Sequence, residues 1–383
     1  MLLAILLLCS APLRAEWDYS SDNTLMGVHR QFPNGASRLN DISEGQLESL
    51  TGARYMNGAF QFEAKALLRS IQSPINKYAN DFAFADLTPP RRLMKLYAPI
   101  GGEGEENQTM LDAGSLWASY NTESWQFSGG RRAMGIGVLK VIPVWNRLYP
   151  VLPTASGYMF INNPDIFDVR WNQGQWTIAS YSIFSQYYDD SISAVELINY
   201  GDKVENHFLL SRWWNQNTAG YSTVVDSSFG IFRLESLLVA KEDKSKGGFQ
   251  VGLGWEKAFT EKFSLLAEYY HSTYGAQDFD DYLALTPTPF RALLASDYIY
   301  PQMTYKFTDF YSQNLGFLTN MIDQSFMLIA ESTYSYSDNT DFFVTLRCPF
   351  GSEGKEFGHI SVPITSEKLE YGRWLSVGLK MNL

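Results

Sequence analysis

The chain has little of what a metalloprotein, a disulfide-stapled domain or a hydrolase needs. It contains 2 cysteines in 383 residues, Cys9 and Cys348. Cys9 falls in an expected leader, so Cys348 stands alone in the mature chain, and neither an intrachain disulfide nor a cysteine zinc cage can form. Cys348 continues the apolar face of a strand and reads as packing. Histidines number 4: His29, His207, His271 and His359. His271-Ser272 is the only adjacent pair and lacks the Asn-Gly continuation that barrel phospholipases show, so no catalytic residue is expected. Acidic runs such as Asp278-Phe-Asp-Asp281 lack EF-hand spacing, and no metal or cofactor is expected. The only paired arginines are Arg91–Arg92 and Arg131–Arg132, against a net charge of −11. That balance excludes a nucleic-acid backbone as partner. After the leader no apolar run approaches the 18 residues that mark a transmembrane helix.

Aromatic residues, by contrast, reach 15% of the chain. Rings with an apolar body and a polar tip suit a membrane–water boundary, where barrels carry aromatic girdles. The first residues, with an unbroken apolar run from Leu2 to Leu8 and Ala15 as the last leader residue, predict a signal peptide over 1–15. Residues 16–383 are then expected to form a single domain.

Through that domain apolar and polar residues alternate with period 2, which sends successive side chains to opposite faces of a strand. Leu375, Val377, Leu379, Met381 and Leu383 alternate with Ser376, Gly378, Lys380 and Asn382. Phe342, Val344, Leu346, Cys348 and Phe350 oppose Thr345 and Arg347, and Phe249, Val251, Leu253 and Trp255 oppose Gln250 and Glu256. Phe263, Leu265, Ala267 and Tyr269 oppose Glu268, and Phe167, Val169 and Trp171 oppose Asp168 and Arg170. The expectation is an all-β chain, an antiparallel transmembrane barrel of about 16 strands (14–18). Very short connections such as Asp338–Asn339 lie between longer ones, as in periplasmic turns opposite external or inward-folded loops. Residues 69–110 and 274–296 are the longest stretches without alternation. They are candidates for external or inward-folded loops.

Several segments resemble a known family. Gly130-Arg131-Arg132-Ala-Met-Gly135-Ile-Gly137 is similar to the GRQ-x-x-x-G signature of the alginate-export-like porins, with Arg132 in place of Gln. Pro143, Asp165 to Arg170, Ala267-Glu268-Tyr269-Tyr270 and Asn320-Met-Ile-Asp323-Gln-Ser325 resemble further segments of that superfamily. The final Ser376-Val-Gly378-Leu-Lys-Met381-Asn-Leu383 resembles the sorting signal read by the barrel-assembly machinery, with Leu383 in place of the usual aromatic. The resemblance spans residues 110–383 and implies an outer-membrane channel fold and role, not a solute.

The expected inner face holds Asp168, Arg170, Arg233, Glu235, Glu256, Glu268, Lys306, Glu331, Arg347 and Lys380. Such charges either sort solutes in a pore or brace the wall as inward ion pairs. Arg131 and Arg132 precede Gly135 and Gly137, where the chain is expected to leave its strand and fold inward, as a positive constriction or as the anchor of a loop. The functional expectation is a porin in the cell outer membrane, passing small or polymeric solutes and contacting lipid. The alternatives are a structural or adhesion barrel with a plugged lumen and a secreted soluble sugar-binding β-protein.

Overall fold

A computed structural model of the chain describes residues 16–31, 41–72, 97–101, 107–145, 163–185, 191–213, 215–240, 247–284, 293–361, 368–370 and 372–382. The expected leader at 1–15, Leu383, and the Thr88–Arg92 and Pro287–Pro289 segments lie outside them.

The wall is an antiparallel barrel of 18 strands. In chain order they are β1 (Glu16–Gln31), β2 (Asp41–Asn57), β3 (Phe60–Gln72), β4 (Asn107–Asn121), β5 (Trp125–Arg131) and β6 (Asp165–Gln173). Then come β7 (Trp176–Phe184), β8 (Ile192–Tyr200), β9 (Val204–Trp213), β10 (Gln216–Ser227), β11 (Gly230–Val239) and β12 (Gly248–Ala258). The last six are β13 (Phe263–Ser272), β14 (Asp297–Lys306), β15 (Tyr311–Asn320), β16 (Phe326–Ser337), β17 (Thr340–Phe350) and β18 (Arg373–Asn382). Each pairs with its sequence neighbours, and β18 returns to β1 with Asn382 opposite Asp22 and Arg373 opposite Gln31. Closure satisfies the backbone groups that an open edge would leave bare in lipid.

The count corrects the expected 16, and the reason lies largely in β2. From Ser43 to Thr51 its outward positions are Ser43, Gly45, Leu47, Ser49 and Thr51, against buried Glu44, Gln46 and Glu48 inside. With a single large apolar residue over that span, ahead of Ala53 and Tyr55, there is no alternation to read. The non-alternating stretch 69–110 also shrinks, because β3 runs to Gln72, β4 begins at Asn107 and a short strand spans Tyr97–Gly101. That short strand pairs with β4 where β5 is too short to reach it.

Connections alternate in length. Residues 58–59, 122–124, 174–175, 201–203, 228–229, 259–262, 307–310 and 338–339 form tight turns at one end. The left-handed φ of Gly58 (56°) and Gly174 (58°) suits two-residue hairpins. The other end carries the long connections, among them 132–164, 273–296 and 351–372.

Side chains sort as the alternation predicts. Phe167, Phe232, Leu253, Met303, Phe342 and Val377 are exposed on the outside, while Asp168, Gln250, Glu268, Thr345 and Ser376 are buried inside. Cys348 lies half-buried on the outer face. The largest apolar core is within the barrel, where Leu139, Ile142, Val144 and Trp145 from the segment after β5 pack against Tyr181, Ile183, Leu209 and Leu237.

Candidate functional site

That inward segment leaves the wall because β5 stops at Arg131, paired with the first residue of β6, Asp165. Arg131 is 1% exposed and donates to Asp165 (2.9 Å) and Asp112 (3.3 Å). Arg132 pairs with Asp168, which also accepts from Ser128 and from Arg170 at 3.3 Å. The two arginines thus stand at the root of the segment, each held by wall carboxylates.

Farther along, the segment is held by two glutamates of the opposite wall. Glu235 on β11 accepts the backbone N–H groups of Val138, Leu139 (2.7 Å), Val144 (2.8 Å) and Trp145 (3.1 Å). Glu268 on β13 accepts those of Lys140 (2.7 Å), Val141 (3.0 Å) and Ile142 (2.9 Å). From 138 to 145 every amide therefore points at a carboxylate except at Pro143, which has no N–H to give. Successive N–H groups converging on one anion form a nest, and charge-assisted bonds of this kind are about twice as strong as neutral ones. Gly137, with φ of 95°, turns the chain into this cradle, and a Cβ there would strike the Glu235 carboxylate. Gly252 lies beneath Leu139 and Gly220 beneath Trp145, so the wall is pared back where the segment presses against it. Lys140 reaches Glu256 (2.7 Å), which also holds Arg233 (2.7 Å), and the Trp145 indole donates to Ser236 O (2.8 Å).

Across the lumen, β1–β4 and β17–β18 carry a second charged surface. Arg30–Glu44 (3.0 Å), Arg69–Glu48 (2.6 Å) and Arg54–Glu63 (2.8 Å) bridge neighbouring strands. Arg30 and Arg347 both lie over the Trp374 ring, at 4.2 and 5.7 Å from its centre. Arg347 is 7% exposed, and its Nε and Nη1 have no hydrogen-bond partner among the described residues. Glu331 on β16 and Lys380 on β18 also face inward and are half-buried. Lys306 is exposed at the tight-turn end, lining a cavity of about 420 Å³ with Glu256, Lys257 and Lys262.

The structure therefore divides the expected site residues. Glu235 and Glu268 lie under the inward segment, Arg131, Arg132, Asp168, Arg170, Arg233 and Glu256 are joined in ion pairs, and Arg347 is in no ion pair among the described residues and leaves its Nε and Nη1 without a hydrogen-bond partner there. The alternation did not single out Arg30, Glu44, Glu48, Arg54, Glu63 and Arg69, because their strands show weak apolar faces. Lys140 and Trp374 were missed for want of any sequence signal. His271 and Ser272, adjacent in β13, project to opposite faces, and the Ser272 hydroxyl accepts from Gln250 (3.0 Å). They cannot act as nucleophile and base.

A third cluster lies among the long connections. Glu356, in the connection after β17, is 1% exposed and accepts from Tyr298 Oη (2.5 Å), Asn320 Nδ2 (2.8 Å) and Leu294 N (3.2 Å). Asp323 accepts from Glu356 N (2.7 Å) and Tyr282 Oη (2.9 Å). Burial first, and then the Asp323 charge, push the Glu356 carboxyl up to about 7. Burial likewise raises the Tyr282 phenol. These bonds tie three connections, 273–296, 321–325 and 351–358, into one cap.

No family model and no curated protein matches the chain. Solved structures do. OccAB3 of Acinetobacter baumannii aligns over 96% of this chain and 99% of its own at 8% identity, with a TM-score of 0.57. OccK9 (OpdG) of Pseudomonas aeruginosa aligns over 96% and 98% at 10% identity, with a TM-score of 0.60. A BenF-like porin from Pseudomonas fluorescens Pf-5 aligns over 98% and 100% at 8% identity, with a TM-score of 0.61. At these identities the likeness is one of architecture: the chain has the closed antiparallel barrel fold of outer-membrane porins.

Proposed function

We propose that the protein is an outer-membrane channel through which solutes pass passively, with the tight turns in the periplasm and the long connections outside. The observation that carries this reading is a closed barrel with an apolar, aromatic-rich outside and a charged inside, narrowed by a segment folded into it. A soluble β-protein gains nothing from exposing Phe167, Phe208, Phe232, Phe342 and Leu375 to water, whereas lipid requires such a surface. The solved porins of this fold support the location and the role. The Gly130–Gly137 segment, which begins the inward turn, supports the narrower kinship with alginate-export-like porins. The last strand, as the final partner of β1, supports recognition by the barrel-assembly machinery. The paired inner charges serve as braces, and Arg347 faces the solute path.

Conductance in a planar bilayer tests the reading: the purified protein gives discrete channel steps. The apolar core inside the barrel favours one competing reading, a plugged structural barrel, and absence of steps from correctly folded protein would establish it. Arg347→Ala should move the reversal potential in a salt gradient toward cation selectivity. Replacing Arg170 and Arg233 together should move it less, since each is already neutralised by Asp168 or Glu256.

A further inference from the structure

The outer wall treats its two ends differently. Among the described residues the outward positions of β7–β12 hold two charged side chains, Arg212 on β9 and Lys257 on β12, and no Asp or Glu. Lys257 stands at the tight-turn end and is satisfied by its own chain: its Nζ donates to Ser228 O (3.3 Å) and lies over the Phe259 ring. Arg212 stands towards the other end. It is exposed and has no ion pair or hydrogen bond among the described residues. From Val204 at the tight turn, β9 climbs eight residues to Arg212. At ~3.3 Å each and a tilt of about 40°, that rise is about 20 Å in an apolar band about 25 Å tall, so Arg212 lies near the far boundary. Hydrocarbon offers a guanidinium no acceptor, whereas the headgroup layer offers anions.

The register places other polar groups at the same level. Ser182 of β7, Ser193 of β8, Arg212 and Asn217 of β10 form one outward row. The row beneath it is Ser180, Val195, Leu210, Ala219 and Leu238. Leu210 (66% exposed) and Leu238 (58%) stand as ridges, with the small Ala219 as the floor between them. The ridges are two strand spacings apart, roughly 9.6 Å. Farther down, the Phe208 and Tyr221 rings, 5.1 Å apart, continue the apolar surface. Above the row, Trp214 and Asn215 alone join β9 to β10, with Asn215 in the left-handed region (φ 56°). This is the shortest connection at its end of the barrel. The two strands therefore raise no loop of their own over the arginine.

We propose that Arg212 and the polar row beside it bind the phosphate of an outer-leaflet glycolipid, with one acyl chain laid over Ala219 between Leu210 and Leu238. The inference rests on the membrane-channel reading above. A guanidinium fork meets two phosphate oxygens at once, and no carboxylate on this face opposes the anion. The Ser182 and Ser193 hydroxyls and the Asn217 amide suit the sugar hydroxyls that flank such a phosphate. Dissolved phosphate would gain nothing from the Leu210 and Leu238 ridges, so the anion belongs to a lipid.

The test is native mass spectrometry of the folded protein, titrated with bis-phosphorylated lipid A, with lipid A stripped of both phosphates, and with inorganic phosphate. The wild type is expected to hold one phosphorylated lipid more tightly than the stripped form, by about tenfold or more. Arg212→Gln should erase that preference and still conduct like the wild type. Lys257→Gln, the same loss of charge at the opposite end, should preserve it, and Ala219→Phe should weaken the lipid by filling the slot. A persisting preference in Arg212→Gln overturns the proposal, as does its loss in Lys257→Gln or unchanged affinity in Ala219→Phe. Inorganic phosphate held as tightly as the lipid also overturns it, because the acyl chain would then contribute nothing. A chain that neither fractionates with membranes nor conducts overturns the channel reading itself. A conducting wild type indifferent to lipid phosphate overturns the lipid site alone.

Discussion

At the residue scale, two carboxylates and one proline decide how the inward segment is held. Glu235 and Glu268 take all the amide protons that Val138–Trp145 can offer, so removing either leaves buried donors unmet at about 1–3 kcal/mol each. Glu235→Ala should therefore free the segment from β11, raise channel conductance and current noise, and lower the temperature at which the folded gel band is lost. Unchanged conductance with lowered stability would separate bracing of the wall from narrowing of the lumen. Glu356 yields a pH prediction. Its carboxyl is raised to about 7 in the closed cap, above its ordinary value of 4.5, so the closed state binds the proton more tightly than the open one. The contribution is complete below the ordinary value and is lost as pH rises through about 7. The protection of the 351–358 amides, with exchange corrected for its intrinsic base catalysis, should thus fall between about pH 5 and pH 8, with Asp323, Tyr282 and Tyr298 as the groups facing the carboxyl. Glu356→Gln, neutral throughout, should flatten that dependence, and a slope that survives the change would place the titration elsewhere.

At the scale of the strand, the alternation says which faces meet lipid. Leu234→Arg, Val251→Arg and Leu328→Arg each put a charge on an outward position of β11, β12 or β16 and should cost about 2–4 kcal/mol near the midplane. Denaturant titration of the folded, heat-modifiable band checks this, and full tolerance would mean that these faces do not meet hydrocarbon. Gln250, the polar neighbour that the alternation offers as a control, is unsuitable. It is fully buried and bonded to Tyr270 and Ser272. Lys380→Gln, on the half-buried inner face of β18, is the better control and should be tolerated. The legible strands were those with long apolar rows, such as β12, β17 and β18. β2 stayed hidden because its outer row from Ser43 to Thr51 is Ser, Gly, Leu, Ser, Thr, a polar pattern that periodicity cannot separate from a loop.

At the scale of the molecule, closure is the property on which all else depends. β18 is hydrogen-bonded to β17 on one side and to β1 on the other. Deleting residues 376–383 strips both seams at once, and every unpaired backbone group in lipid costs several kcal/mol. The truncated chain should accumulate unassembled and protease-sensitive, with no folded band in the outer membrane. A folded band would mean that β17 can close on β1 without it. Composition and period 2 were sufficient for class, closure and sidedness, because those follow from where each side chain must go relative to lipid and from the demand that no sheet edge be exposed. The burial of Glu235 and Glu268 under Val138–Trp145, the ring of Trp374 beneath two arginines and the cap around Glu356 join residues distant along the chain. No local spacing encodes such meetings, since the curvature and register of the closed wall alone determine which inner side chains come within reach of one another.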